Sequence, residues 1–117
     1  MELDTALGPP SLDSFDETVP NYDQVKNLPY LQDVIDEGLR LHSTVCIGLP
    51  RIVSETGLTV AGEAFAAGTE VSCPTLTIHR LKSIWGEDAD EFNPDRWSRG
   101  NRAEMIKYFI PFSIGPR

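Results

Sequence analysis

Three groups of residues have the types and spacing to do chemistry. Glu37 and Arg40 stand three apart in "DEGLR", so on a helix their side chains leave neighbouring positions of one face. Exposed, such a pair contributes only a few tenths of a kcal/mol. Buried, the loss of either partner strands a charge at a cost of about 3–5 kcal/mol. Arg96 lies between Asp95 and Trp97 in the turn-rich "FNPDRW". From there it can reach a distant carboxylate with two guanidinium nitrogens, or rest in a surface ion pair. The third group closes the chain: Phe112, Gly115 and Arg117 in "PFSIGPR".

Histidine and cysteine add no fourth group. His42 and Cys46 would face one ligand only if a helix ran through both, and Cys73 and His79 are six apart. Neither gives a paired zinc spacing, so no metal site is expected. His42 reads as a helix-end residue and His79 as a satisfied loop or core histidine. Cys46 and Cys73 lack CxxC spacing and read as free, buried thiols.

The elements that must position these residues are unequal. "LPYLQDVIDEGLRLH" predicts the best helix, over residues 29–42, with Pro29 in the first turn where its missing N–H is harmless. Leu28, Leu31, Val34, Ile35 and Leu39 form an apolar stripe of helical period. Asp33, Asp36, Glu37 and Arg40 lie off it, and the stripe expects apolar neighbours. Beyond Val45, "IGLPRIV", "GLTVAG" and "EAFAAGTEVS" predict short strands and tight turns, with a hairpin at "AGEA". "PTLTIHRLKSIWG" predicts one short helix between Pro74 and Gly86. "EDADEFNPDRWSRGNRAEM" reads as mostly irregular. Ahead of all this, residues 1–27 form an acidic connecting segment with a short helical start at 2–7, broken at "GPP".

Charge excludes some functions. With 10 Lys+Arg against 18 Asp+Glu the net charge is -8, opposite to what nucleic acid or an anionic lipid surface requires. The acidic runs read as solvated surface. No apolar run approaches the length of a membrane-spanning helix, and no signal peptide is recognisable. A reduced, cytosol-facing setting is the default.

An E-x-x-R helix, an arginine in Pro-Asp-Arg-Trp, and F-x-x-G-x-R follow one another in an order that resembles the C-terminal region of cytochrome P450 monooxygenases. "EGLR" matches the family's K helix, "FNPDRW" its P-E-R-F meander motif with Asp for Glu and Trp for Phe. "FSIGPR" matches the first six positions of the haem loop F-x-x-G-x-R-x-C-x-G. The likeness covers roughly residues 24–117 and is greatest to fungal P450s of the benzoate para-hydroxylase type.

The resemblance implies a mainly α fold with small β-sheets (α+β), in which residues 28–117 are a partial C-terminal region from K helix to haem loop. It implies a Glu37–Arg40–Arg96 lock between helix and meander. Haem would be the cofactor, with Arg117 and Arg51 at its propionates, Phe112 near its proximal face and Gly115 turning the loop. Thr44, Val45, Cys46, Ile47, Gly48 and Leu49 would line the substrate side. The implied partners are NADPH-cytochrome P450 reductase and a small aromatic substrate, at the cytoplasmic face of the endoplasmic reticulum. The family's axial cysteine falls two residues past the arginine, beyond Arg117. No catalytic residue is therefore expected within these residues, and the chain alone is not expected to hold haem as a thiolate complex. The alternative is a non-catalytic remnant or interaction module.

Overall fold

The computed structural model describes residues 2–8 and 20–115; Arg117 and most of the opening acidic run lie outside them. Helix α1, Glu2–Leu7, and the single turn α2, Tyr22–Val25, precede the principal helix α3, Pro29–Leu41. Asn21 caps α2, its side chain accepting from the Asp23 N–H while the Gln24 side chain returns a bond to Asn21 N–H. Pro29 opens α3 without a side-chain cap from Leu28. The missing cap comes from a distance: the Glu2 carboxylate accepts the N–H groups of Tyr30 at 3.1 Å and Leu31 at 2.9 Å, satisfying two of the helix's free donors.

Helix α3 packs the other way round from its apolar pattern. Asp33, Asp36, Glu37, Arg40 and Leu41 are its buried residues, whereas Tyr30 and Ile35 are 48% and 46% exposed. The charged face turns inward because the segments it meets supply arginines, backbone carbonyls and N–H groups rather than apolar side chains.

Four short strands follow in two separate antiparallel pairs. β1, Arg51–Ile52, pairs with β4, Glu70–Val71. β2, Leu58–Val60, pairs with β3, Glu63–Phe65, in the register Leu58↔Phe65 and Val60↔Glu63. Their turn is the expected "AGEA" hairpin, with both Ala61 (φ 51°) and Gly62 (φ 87°) left-handed, as the twist of a two-residue hairpin demands.

The stretch from Pro74 to Gly86 makes two helical turns rather than one helix: α4, Thr75–Ile78, and α5, Lys82–Trp85. The break falls at residues 79–81, where the His79 carbonyl is drawn to Arg40. The region expected to be irregular also holds two short helices, α6, Asp95–Arg99, and α7, Arg102–Met105, running into a 3-10 turn, Ile106–Tyr108. Asn101 caps α7 by accepting the Glu104 N–H, a signal the acidic composition masks.

The core lies in this later region. Trp85, Ala89, Trp97 and Met105 form it, with Ile84 and Phe109 packed alongside. Trp97 meets Trp85 and Phe109 edge-on at centroid distances of 5.5 and 5.0 Å. Cys46 and Cys73 are free but exposed, contrary to expectation, since both stand in the loops around the small sheets where no core covers them. Among the described residues, no helix is long and apolar enough to cross a membrane.

Candidate functional site

The structure brings Glu37, Arg40 and Arg96 together out of contact with solvent. Helix spacing presents Arg40 side-on to Glu37, Nε to Oε2 at 2.9 Å and Nη2 to Oε1 at 2.8 Å. Arg96, carried in from α6, donates its Nε to Oε1 at 3.0 Å. The Asn93 N–H adds a bond to Oε1 and the Trp97 indole N–H one to Oε2, both at 3.0 Å. Glu37 thus accepts five hydrogen bonds at 0% exposure.

The arginines are equally well satisfied. Arg40 spends its remaining N–H groups on the carbonyls of His79 and Ala89, both at 2.6 Å, and of Glu91 at 3.1 Å, so all five of its donors are used. Arg96 binds the Trp85 and Asp88 carbonyls and the Asp88 carboxylate. Asp88, partly exposed at the edge of the set, brings it to two positive and two negative charges. A buried charge set of this kind is tolerable only when every lone pair and proton is matched.

Burial alone would push the Glu37 carboxyl up. The hydrogen bonds from Arg40, Asn93 and Arg96, with the Arg40 charge, outweigh burial and hold it below its ordinary range. Asp88 is likewise held low, first by the Asn93 side chain and then by Arg96.

A second clamp lies beside the first. Arg102 of α7 reaches Asp33 Oδ1 at 2.5 Å and also binds Asp36, which accounts for the other two buried acids of α3. Its guanidinium also stands over the Trp97 ring at 5.2 Å.

Across the molecule, the strand pairs and the loop at residues 111–115 enclose a cleft of about 560 Å³. Leu49, Val60, Phe65 and Ile114 give it apolar walls, and Arg51 places one cation on its lining. Among the described residues Arg51 has no ion-pair partner and donates only to the Pro50 carbonyl. The loop leaves Ile110 through a Ser113 N–H to Ile110 C=O bond of 3.0 Å. Ser113 (φ 71°) and Gly115 (φ 90°) are both left-handed. For Gly115 that is free; for Ser113 it costs on the order of 1 kcal/mol, a strain that suits a functional loop.

The remaining predicted residues divide. Leu49 lines the cleft, and Val45, Gly48 and Leu49 line a smaller neighbouring cavity with Ser113 and Ile114. Gly48 is buried with its backbone against Cys73. Thr44, Cys46 and Ile47 are exposed and line neither cavity, Cys46 Sγ donating instead to the Ser43 carbonyl. Phe112 is 68% exposed and also lines neither. Arg117 lies outside the described residues.

Residue-by-residue reading of the sequence missed Trp97 and Asn93 as partners of Glu37, and Arg102 as the second clamp. The tryptophan had a usable signal: it replaces a phenylalanine in the motif, adding an N–H that a buried ring must satisfy. Arg102 had none, because its partners lie 66 and 69 residues away.

An apolar cleft with one unpaired guanidinium on its wall can take an apolar ligand that carries a carboxylate. The family described as Cytochrome P450 matches residues 2–117. A benzoate 4-monooxygenase of Aspergillus niger is 48% identical over 105 residues, 87% of this chain and 20% of the relative. A cytochrome P450 monooxygenase of Alternaria solani is 41% identical over 103 residues, 82% and 19% of the two chains. Secologanin synthase 2 of Catharanthus roseus is 40% identical over 108 residues, 91% and 20%. The chain therefore spans about a fifth of the length of these relatives.

Proposed function

This chain belongs to the cytochrome P450 family, and on that premise we propose that it is the part of a haem-thiolate monooxygenase that fixes the haem loop. The observation that carries the reading is the buried Glu37 carboxylate, shared by Arg40 and Arg96, which ties α6 and the chain leading to residues 111–115 onto α3. Arg51 would hold one haem propionate, where a fixed guanidinium matches a carboxylate. Arg117 would take the other, by its place in the motif alone. Gly115 would turn the loop, the exposed Phe112 would meet the proximal side only once haem is bound, and the segment at residues 44–49 would contribute Leu49 to the substrate side.

Haem held by a cysteine thiolate supplies the electron donation that favours O–O cleavage. The residues present here would bind and orient: Arg51 would neutralise a carboxylate, and the apolar walls of the cleft would shield the macrocycle from water. The similarity to the Aspergillus niger relative supports hydroxylation of a small aromatic acid such as benzoate by the whole protein. O2 would be the co-substrate, and the electrons from NADPH would arrive through a reductase at the endoplasmic reticulum membrane.

Within these 117 residues neither Cys46 nor Cys73 follows an F-x-x-G-x-R motif. Mixing the chain with hemin, reductant and carbon monoxide is therefore expected to give no thiolate-type red-shifted Soret band; its appearance would contradict that part of the reading. Hemin affinity, followed by tryptophan quenching, is expected to fall several-fold in Arg51→Gln. Equal affinity would remove Arg51 from the site.

A further inference from the structure

His79 is a buried titratable group that the lock does not use through its side chain. Its ring is fully enclosed, at 0% exposure, yet both nitrogens are engaged. Nε2 accepts the backbone N–H of Ile110 at 2.9 Å. A nitrogen that accepts an N–H bond carries no proton of its own, so the ring proton resides on Nδ1. There it faces the Arg40 carbonyl at 3.0 Å and the Ser43 hydroxyl oxygen at 2.7 Å. The Ser43 hydroxyl can spend its own proton on the Leu39 carbonyl at 3.2 Å. Phe109 stacks on the ring at 5.7 Å and Trp85 meets it edge-on at 6.0 Å, so the imidazole cannot swing away without opening the aromatic core.

The bond to Ile110 falls at a particular place. Ile110 is the residue from which the 111–115 loop departs, and its carbonyl already anchors the Ser113 N–H. Arg40, in turn, donates to the His79 carbonyl at 2.6 Å while its own carbonyl takes the Nδ1 proton. The C-terminal end of α3 and the first residue of the loop are therefore joined through one imidazole, by a route that bypasses Glu37.

We infer that His79 is a positioning residue, which in its neutral Nδ1–H form carries the placement of α3 into the 111–115 loop by holding the Ile110 amide. The inference rests on the preceding reading only in taking this loop as the haem loop; the bond itself does not depend on haem. Protonation places a hydrogen on Nε2, where it opposes the Ile110 N–H. The charged group facing His79 is Arg40 of α3, while α5 and the chain after the 3-10 turn offer only Trp85 and Phe109. Burial, together with the Arg40 charge, holds the histidine below its ordinary value of 6.5, so the latch is closed at neutral pH and opens in acid.

The test is nitrogen-15 NMR on the full 117-residue chain without haem. At neutral pH the His79 shifts are expected to show a bare Nε2 and a protonated Nδ1, with the Ile110 amide protected from exchange. His79→Phe keeps the stacking and loses the acceptor, so Ile110 exchange should quicken about tenfold while the Trp97 indole N–H, which reports the lock, stays in place. His79→Gln can return an acceptor to Ile110 and should restore protection, but without the acid-dependent release seen in the unmodified chain. Equal Ile110 exchange in the unmodified chain and His79→Phe, or the opposite tautomer, would overturn the inference. If His79→Phe does not fold, the tautomer and the acid-dependent release in the unmodified chain decide. Because no haem is present, failure here leaves the haem reading standing, and a negative hemin result leaves this one untouched.

Discussion

At the scale of residues, one buried carboxylate is satisfied at both of its oxygens. Glu37 receives bonds from two arginines, one backbone amide and one indole; Arg40 comes from its own helix and the other three donors from residues 93–97. Trp97→Phe keeps the ring in the core and removes one donor. The expected loss is about 1–3 kcal/mol, the cost of leaving part of a buried charge unpaired, and a melt within error of the unmodified chain would contradict it. The pH dependence follows from the same groups. Glu37 and Asp88 are held below their ordinary values of 4.5 and 3.8. Their stabilisation is present above those values and is lost as pH falls through the lower folded values. His79 is held below 6.5, so the unfolded chain takes up its proton first. All three make the unfolded state bind more protons in acid, so stability rises with pH. Denaturation midpoints should fall from pH 7 toward 6 and more steeply below 4.5, with the first step absent in His79→Gln. The E-x-x-R spacing made Glu37 and Arg40 legible in the sequence. The indole and the imidazole were not, because their bonds span 60 and 31 residues and leave no local pattern.

At the scale of elements, the sequence placed the principal helix to within a residue, but its apolar stripe is not the face that this chain buries. Hydrophobic period reports which side of a helix is apolar; it does not report what stands opposite. Here the opposing segments carry Arg96, Arg102 and free carbonyls, so the acidic face is the one that packs. Ile35→Gln, on the half-exposed stripe, should therefore change stability by no more than about 0.5 kcal/mol. A loss of several times that in the isolated chain would restore the stripe to a core. The loop elements give a sharper contrast. A Cβ on Gly48 would stand 2.3 Å from the Cys73 carbonyl oxygen, whereas one on Gly62 would meet nothing within 4 Å. Both glycines are left-handed, so both alanine variants pay the backbone cost of about 1 kcal/mol. Gly48→Ala should lose clearly more than Gly62→Ala in thermal midpoint, and equal losses would mean that residues 44–49 are not seated on the 73 backbone as described.

At the scale of the whole molecule, the chain is extended. Its radius of gyration is 19.6 Å, against about 13 Å for a compact domain of this length, and among the described residues the core is an aromatic cluster joined to a charge network. That architecture matches a region spanning a fifth of its relatives' length, whose apolar stripe and cleft present surfaces to be covered. The fold class and family were legible because three short motifs occur in order. The size and shape of the cleft were not, because it forms only when the 49–73 strands meet the 111–115 loop. The most direct test of the central claim is a chimera in which this chain replaces the matching region of the Aspergillus niger relative, read by its reduced carbon monoxide spectrum. We predict the thiolate-type Soret band in the chimera and its loss in the same chimera carrying Glu37→Gln. A folded chimera that shows no such band, or a Glu37→Gln chimera that keeps it in full, would contradict the assignment of this chain as the lock that holds the haem loop.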